Sequence, residues 1–152
     1  MDLVHNYTTT VTWENDRIGT LSSKTLPDIK VATPPEFPKG VPNIWSPEHL
    51  FVASANICLM TTFLAIAENS KFDFKSFKSE ATGKLEKVDG KFMISEIEFK
   101  PIVIISDEGK KEKAIRLIEK SEAACLISNS MKSKIILAPT VLVETGVEAE
   151  KA

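Results

Sequence analysis

Two cysteines, Cys58 and Cys125, are the residues of this chain best suited to chemistry. A cysteine thiolate is a strong nucleophile, and peroxides oxidise it to a sulfenic acid that a second thiol can convert into a disulfide. The two cysteines are too distant in sequence for a CxxC motif, and with only His5 and His49 beside them they show no zinc-ligand spacing. We therefore expect thiol redox chemistry and no zinc site. The alternative is that both are small hydrophobic core residues, as free cysteines usually are.

Cys58 lies in a long apolar segment. Ser46, Pro47 and Glu48 form a helix start, with a serine cap, a proline at the first helical position and an acid in the first turn. A helix is predicted from there to about Asn69, and because it is apolar on every face it must be buried all round. A transmembrane helix is the alternative, but polar residues interrupt the segment and its flanks lack membrane features, so we expect no membrane partner. These polar residues are Ser54, Asn56, Thr61 and Thr62.

The positions of the two sulfurs suggest different roles. Burial raises the pKa of a thiol and the middle of a helix gives no dipole assistance, so Cys58 can attack only if a cation is brought to it. Arg17 is the candidate, because the chain uses lysine for all but two of its 19 basic residues and keeps arginine there, beside a predicted hairpin tip. A carboxylate would be needed to hold the guanidinium. Cys125 is predicted near the C-terminal end of a second helix, where the dipole disfavours a thiolate, so we expect it to resolve the oxidised Cys58.

The remaining pattern is that of an α+β chain. Strands are predicted at residues 4–13, 18–21, 29–32, 74–88, 92–105, 135–137 and 141–143. Asp89-Gly90 is a hairpin signal between the two long strands, and a change of parity near Ser95-Glu96 predicts a bulge. Asp107 is predicted to cap the second helix, which runs to about Ala124. We expect one domain over residues 1–152, with antiparallel sheets around long central buried helices.

Composition limits the possible partners. The net charge of −2 gives no attraction to nucleic acid or to an acidic membrane. Residues 1–6 lack the basic start and apolar run of a signal peptide, so we expect a cytoplasmic protein whose cysteines form a transient pair and not a permanent disulfide. One amphipathic helix and one sheet face can hardly cover a helix that is apolar on all sides. A second subunit would cover it, which predicts a homodimer with residues 50–67 near the interface.

Four blocks of the sequence, in order, resemble the OsmC and organic hydroperoxide resistance family. Asp16-Arg17-Ile18-Gly19 resembles its arginine-bearing turn, and residues 47–51 resemble its helix entry. Cys58 stands ten residues after Glu48, as in the family. Residues 119–130 resemble the second-cysteine block, whose C-x-x-S-N-S core is its most specific part. The resemblance covers nearly the whole chain.

The resemblance implies an OsmC-like fold and an intertwined homodimer with two sites at the subunit interface. It further implies reduction of organic hydroperoxides in preference to hydrogen peroxide, through a sulfenic acid on Cys58 and a Cys58–Cys125 disulfide. A dithiol such as a protein-bound lipoyl group would restore both thiols, without a metal or an organic cofactor. Arg17 would stabilise the Cys58 thiolate and polarise the peroxide, and Glu48 would orient Arg17.

Helix geometry constrains this arrangement, because ten residues of one regular helix separate Glu48 and Cys58 by about 15 Å. Glu48 must then act through Arg17 or from the partner chain, unless the helix begins later; we favour cooperation between subunits. Ile18 and His49 depart from the common family pattern and leave the subfamily open. A dimeric binding protein for a small hydrophobic ligand, or a thiol redox sensor with little turnover, remain the alternatives to a peroxidase.

Overall fold

Three antiparallel strands form the first part of the chain in the computed structural model, which describes residues 3–144. They are β1 (Thr10–Asn15), β2 (Ile18–Ser23) and β3 (Leu26–Ala32), in the order β1-β2-β3. The first strand starts later than predicted, at Thr10 and not at Val4. The reason is pairing: Thr10 faces Ser22 and β2 ends at Ser23, so the residues before Thr9 have no β2 residue opposite them.

The long helix α1 (Pro47–Asn69) confirms the predicted helix and its start. The Ser46 hydroxyl accepts a hydrogen bond from the His49 amide at 3.1 Å, as a serine cap does, and lies 2.7 Å from the His49 ring Nδ1. Because α1 already begins at Pro47, the later start that would have brought Glu48 nearer to Cys58 is excluded. The chain forms two compact units divided after Phe51, so α1 starts in the first unit and continues through the second.

A mixed sheet and two further helices complete the second unit. Its strands are β4 (Ser76–Val88), β5 (Lys91–Ile105), β6 (Lys134–Leu137) and β7 (Thr140–Val143). The strands β4 and β5 form the predicted hairpin, and the register passes from Glu96 to Ile94, so Ser95 is the extra residue of the predicted bulge. Both β6 and β7 run parallel to β5, which differs from the expected antiparallel pairing. The helical connection after β5 carries the chain back before β6 begins, and this return makes the pairing parallel.

The second predicted helix consists of a 3₁₀ turn and an α-helix, and a further short helix follows its predicted end. Asp107 caps a single 3₁₀ turn (Glu108–Lys110) by accepting the Gly109 amide at 2.9 Å, and α2 (Lys111–Ala123) follows. A short helix, α3 (Leu126–Asn129), comes next. Cys125 is therefore the cap residue of α3 with an extended backbone, and not part of the end of α2 as predicted.

The core of the second unit consists of two clusters along α1. Leu59 and Ala55 pack with Ile97 and Phe99 of β5 in one of them. The other lies further along α1 and includes Phe63, Ala67, Phe72, Val103, Ile105, Ala114, Leu117, Ile118 and Val141. The opposite face of α1 is open within one chain, since Ile57, Met60 and Leu64 are exposed. A single chain therefore leaves one face of α1 uncovered, as expected, and burial of that face by a second subunit stays a prediction.

By length and composition alone, α1 could also cross a bilayer, and it is the only helix within residues 3–144 that could. The core helices of soluble proteins meet the same criterion. The buried residues of α1 pack on a sheet and on α2, as core residues do.

Candidate active site around Cys58 and Cys125

The fold of the second unit brings Cys58 and Cys125 together. Cys58 lies on the buried face of α1, and Cys125 lies at the junction of α2 and α3. Both thiols are free and buried, with Cys125 only 1% exposed. Their side chains are hydrogen-bonded to each other. Neighbouring thiols of this kind are candidates to form a disulfide after oxidation.

Hydrogen-bond donors surround the Cys58 sulfur. The Thr62 hydroxyl, one helical turn further along α1, lies 3.7 Å from it, and the Leu126 and Ile127 amides also donate to it. Burial by itself raises the pKa of Cys58. The hydrogen bonds from Cys125, Ile127, Thr62 and Leu126 more than offset burial, so this pKa lies below its ordinary value. The thiolate is the nucleophilic form of cysteine, so these donors favour the reactive state.

The pKa of Cys125 moves in the opposite direction. Burial raises it, and the hydrogen bond and the negative charge of Cys58 raise it further. The backbone N–H and the side chain of Ser128 lower it, but only in part. The sequence predicted that Cys125 forms a thiolate poorly, and its raised pKa agrees with that prediction in direction. The cause is burial beside Cys58 and not the end of α2.

The chain segment after Cys125 holds this geometry through three consecutive polar residues. The Ser128 hydroxyl lies 2.8 Å from Glu122 Oε1 and 3.3 Å from the Cys125 carbonyl oxygen. The Asn129 amide donates to the Ala123 carbonyl at 3.1 Å. The Ser130 hydroxyl donates to the carbonyl of Leu126 at 2.8 Å. The bonds of Ser128 to Glu122 and of Asn129 to Ala123 tie α3 to the end of α2, while the bond of Ser130 closes α3 itself, so each residue of the S-N-S sequence has a structural role.

Arg17 and Glu48 belong to the first unit. Arg17 is exposed in the turn between β1 and β2, where the left-handed backbone of Asp16 (φ 45°) makes the turn. No ion pair between Arg17 and Glu48 occurs within 4.0 Å in the part of the chain that the structure describes. The Glu48 carboxylate has one buried oxygen, Oε1, that has no hydrogen-bond partner there. The roles of both residues remain predictions.

An apolar groove of about 410 Å³ opens beside Arg17 in the first unit. Its lining comprises Val11, Trp13, Asp16, Arg17, Ile18, Gly19, Val31, Ala32 and Pro47. Trp13 stays in place partly because its indole N–H donates to the Asp16 carbonyl at 3.0 Å. An arginine on the wall of an apolar groove could bind a molecule with an apolar body and a polar end.

Sequence reasoning missed several residues of this site. Thr62 could have been found, because residues four apart on a helix face the same side. Leu126 and Ile127 act through their backbone amides. These amides are free to donate to the sulfur because α2 ends and α3 begins beside α1, and helix propensity does not predict that arrangement. The hydrogen bond between Glu122 and Ser128 could be predicted only once the break between α2 and α3 was known.

Comparisons with known proteins agree with the fold. Residues 40–139 match the sequence profile of the OsmC family, described as OsmC-like protein. The uncharacterized protein YmaD of Bacillus subtilis (strain 168) is 24% identical over 149 residues, which cover 95% of this chain and 98% of that protein.

Two solved structures share the architecture. An OsmC-like protein of unknown function from Vibrio cholerae has a TM-score of 0.82 at 23% identity, covering 90% of this chain and 99% of its own. An organic hydroperoxide resistance protein from Elizabethkingia anophelis has a TM-score of 0.76 at 22% identity, covering 95% and 100%. The α+β class and the OsmC-like fold expected from the sequence are confirmed, and the chain belongs to the OsmC-like protein family.

Proposed function

We propose that this protein is a thiol peroxidase that reduces organic hydroperoxides, with Cys58 as the attacking thiol and Cys125 as the resolving thiol. The observation that carries the proposal is the pair of hydrogen-bonded, buried thiols with pKa values shifted in opposite directions. A core cysteine needs neither a neighbouring thiol nor four hydrogen-bond donors around its sulfur. A two-step peroxidase requires one sulfur that is favoured as the thiolate and a second, beside it, that is kept as the thiol.

The reaction follows from the arrangement. The Cys58 thiolate attacks a hydroperoxide oxygen, the O–O bond breaks, and the products are a sulfenic acid on Cys58 and an alcohol once a proton is added. Cys125 then attacks the Cys58 sulfur, and a disulfide and water are formed. An external dithiol, for which we propose a protein-bound lipoyl group, reduces the disulfide and restores both thiols.

Apolar side chains near the sulfurs support an organic substrate. Leu126, whose amide donates to the Cys58 sulfur, has a side chain that is 68% exposed, and Ile57 precedes Cys58 with 57% exposure. The alkyl group of an organic hydroperoxide can pack on such residues, whereas hydrogen peroxide has no apolar part. Solved relatives of the same fold are named organic hydroperoxide resistance proteins.

We also propose that the working form is a homodimer in the cytoplasm, in which Arg17 and Glu48 complete each site. The exposed apolar face of α1 needs a cover, and a second copy supplies one. The buried Glu48 oxygen without a partner is suited to a guanidinium, and Arg17 is exposed and available. In this arrangement Glu48 orients Arg17, and Arg17 polarises the peroxide.

A peroxidase assay with the reduced protein tests the proposal. Cumene hydroperoxide and hydrogen peroxide are compared, each with lipoyl and thioredoxin reductants. We expect faster turnover of cumene hydroperoxide, and one stoichiometric equivalent should lower the intact mass by about two hydrogens as the disulfide forms. Cys58→Ser should abolish turnover, and Cys125→Ser should accumulate sulfenic or over-oxidised Cys58. Full turnover by Cys58→Ser would contradict the proposal.

The groove beside Arg17 favours a second candidate, a binding protein for a small hydrophobic ligand. In that case the thiols react slowly with peroxide, and Cys58→Ser leaves the ligand affinity unchanged. Trp13→Ala would weaken binding because it removes the largest apolar wall of the groove. A thiol redox sensor would instead oxidise reversibly with little turnover in the same assay.

A further inference from the structure

Cys125 occupies the break between α2 and α3. Its backbone is extended, with φ −68° and ψ 110°, whereas Ala124 before it still has helical angles. The side chain points from this break onto α1, where the Cys125 sulfur lies 4.0 Å from the carbonyl oxygen of Ala55. Each residue has two soft backbone dihedrals, so rotation at the break alone would turn the thiol away from α1.

The short helix α3 has little stability of its own. It is a single turn of four residues, and one turn gains too few backbone hydrogen bonds to be stable alone. One side of α3 is anchored, because Ile127 packs against the cluster that contains Ala55 and Leu59 of α1. The orientation of α3 relative to α2 then depends on the bonds that join these two helices.

In the described part of the chain, two side-chain hydrogen bonds join α2 to α3, and one of them is shielded from water. Ser128 is 5% exposed, and its hydroxyl lies 2.8 Å from Oε1 of the half-buried Glu122. The other bond, from Asn129 Nδ2 to the Ala123 carbonyl oxygen at 3.1 Å, is exposed. A hydrogen bond to a carboxylate is stronger than one between neutral groups, and more so away from water.

The hydroxyl of Ser128 has one hydrogen and two candidate acceptors. They are Glu122 Oε1 at 2.8 Å and the Cys125 carbonyl oxygen at 3.3 Å. The carboxylate is both the nearer and the stronger acceptor, and the Cys125 carbonyl already accepts the Asn129 amide at 3.0 Å. Ser128 therefore donates to Glu122, and this bond spans the break at Cys125.

We propose that the hydrogen bond between Ser128 and Glu122 positions Cys125 for its attack on oxidised Cys58. This rests on the proposed peroxidase function and names the residues that serve its second step. Glu122 and Ser128 are positioning residues, because they fix the backbone on either side of Cys125 and take no part in the bond changes.

The step that they serve is balanced without a further reactant. The S–H bond of Cys125 and the S–O bond of the Cys58 sulfenic acid break, and a sulfur–sulfur bond forms. The thiol hydrogen and the hydroxyl group leave together as water. The Cys58 sulfur is thereby reduced by one oxidation level, and the Cys125 sulfur is oxidised by one.

The position of Cys125 matters because a second reaction competes with its attack. A sulfenic acid that is not resolved reacts with another peroxide and becomes a sulfinic acid. A reacting group held in the right geometry reacts far faster than one that must find it, and a displacement of about 1 Å can cost about a hundredfold. A displaced Cys125 therefore leaves more Cys58 to be over-oxidised.

Single-turnover measurements separate the two steps. Reduced protein is mixed with one equivalent of cumene hydroperoxide, and quenched samples are analysed by mass spectrometry, with dimedone in parallel samples to trap sulfenic acid. Glu122→Ala removes the acceptor for Ser128, whereas Glu122→Gln keeps an acceptor oxygen and removes only the charge.

Two matched controls leave this bond in place. Glu119→Ala removes an exposed carboxylate from the same helix. Ser130→Ala removes a hydroxyl that donates to the Leu126 carbonyl at 2.8 Å and so does not join α3 to α2.

We expect Glu122→Ala to slow disulfide formation about tenfold relative to sulfenic acid formation, and to give more sulfinic acid with excess peroxide. Glu122→Gln should restore most of the disulfide rate. Ser128→Ala should slow this step at least as much as Glu122→Ala, since Ser128 also lowers the pKa of Cys125. Glu119→Ala and Ser130→Ala should match the wild type.

Three results would overturn the proposal. The first is disulfide formation in Glu122→Ala at the rate of Glu119→Ala. The second is an equal slowing of both steps with a lower Tm, because that pattern belongs to a residue that only stabilises the fold. The third is a Glu122→Gln variant as slow as Glu122→Ala, because the charge and not the hydrogen bond would then matter. A wild type that forms no sulfenic acid overturns the peroxidase function itself, and this is seen before any variant is compared.

Discussion

Thr62 stands one helical turn after Cys58, and its hydroxyl lies 3.7 Å from the Cys58 sulfur. Within residues 3–144, it is the one donor to this sulfur that comes from α1 itself. The thiol of Cys125 and the Leu126 and Ile127 amides come from the junction of α2 and α3. The nucleophilic character of Cys58 therefore depends on two parts of the second unit that meet at one sulfur.

Replacing Thr62 by valine tests the donor on α1. The substitution keeps the shape and removes the hydroxyl, so it removes a contribution that lowers the pKa of Cys58. That pKa should rise, and at pH 7 less thiolate should be present. A net hydrogen bond of about 1 kcal/mol predicts alkylation of Cys58 by iodoacetamide that is about fivefold slower.

Thr61→Val is the matched control for this variant. The Thr61 hydroxyl donates to the Cys58 carbonyl oxygen at 3.2 Å and not to the sulfur, so its loss should leave the alkylation rate unchanged. Equal alkylation rates in the two variants would contradict a role for the Thr62 hydroxyl.

The hydrogen bond from Cys125 is tested by comparing Cys125→Ala with Cys125→Ser. Alanine removes a donor to the Cys58 sulfur, so the pKa of Cys58 should rise. Serine keeps a donor in the same place and should hold the pKa low. We expect the pH profile of Cys58 alkylation to move toward higher pH in Cys125→Ala and to stay close to the wild-type profile in Cys125→Ser.

The sign of the associated stability change follows by linkage. A group with a depressed pKa in the folded state stabilises the protein above its unfolded pKa, and this contribution is lost as the pH falls through the folded value. The stabilisation from the Cys58 thiolate is therefore present at alkaline pH and should be smaller in Cys125→Ala than in Cys125→Ser, since both variants lack the opposing titration of Cys125, whose pKa is raised. Chemical denaturation in urea at pH 7 and at pH 9.5 measures it, and a larger gain in stability with pH in Cys125→Ala than in Cys125→Ser would contradict this assignment.

Most of the secondary structure could be predicted from the sequence because its signals are local. The cap at Ser46, the hairpin at Asp89-Gly90 and the parity change near Ser95 each depend on a few neighbouring residues. The parallel pairing of β6 and β7 with β5 could not be predicted in the same way, because it depends on where the chain returns after α2.

The pairing of Cys58 with Cys125 was predicted from the presence of only two cysteines and from the family resemblance, since nothing local links residues so distant in sequence. Reasoning from the sequence then looked for a cation to lower the pKa of Cys58 and chose Arg17. The structure has neutral donors at that sulfur, two of them backbone amides that carry no sequence signal. The end of the second helix was predicted at about Ala124, close to the observed end at Ala123, but no local signal predicted that α3 begins at Leu126 and presents these amides.

Gly83 provides a test of the packing that supports α1. A Cβ at Gly83 would lie 2.5 Å from Cγ2 of Val52 and 3.3 Å from Cγ2 of Ile94. Gly83→Ala should therefore push β4 away from α1 and lower the free energy of unfolding by about 1–3 kcal/mol, as overpacking usually does. Urea denaturation measures the change. Val52→Ala should restore much of the loss when combined with Gly83→Ala, and additive losses in the double variant would count against this clash.

The open face of α1 carries apolar side chains, with Leu64 41% and Ile57 57% exposed. If this face is covered by a second copy of the chain, Leu64→Glu places a charge inside an apolar interface without touching the core of its own subunit. The unpaired carboxylate would have to be desolvated, so dimerisation should weaken by several kcal/mol. Sedimentation equilibrium should show a wild-type dimer and a Leu64→Glu monomer at the same micromolar concentration.

Lys111→Glu, at the exposed start of α2, makes a charge change away from α1 and should remain dimeric. A monomeric wild type, or a Leu64→Glu variant as dimeric as Lys111→Glu, would show that α1 is not the interface.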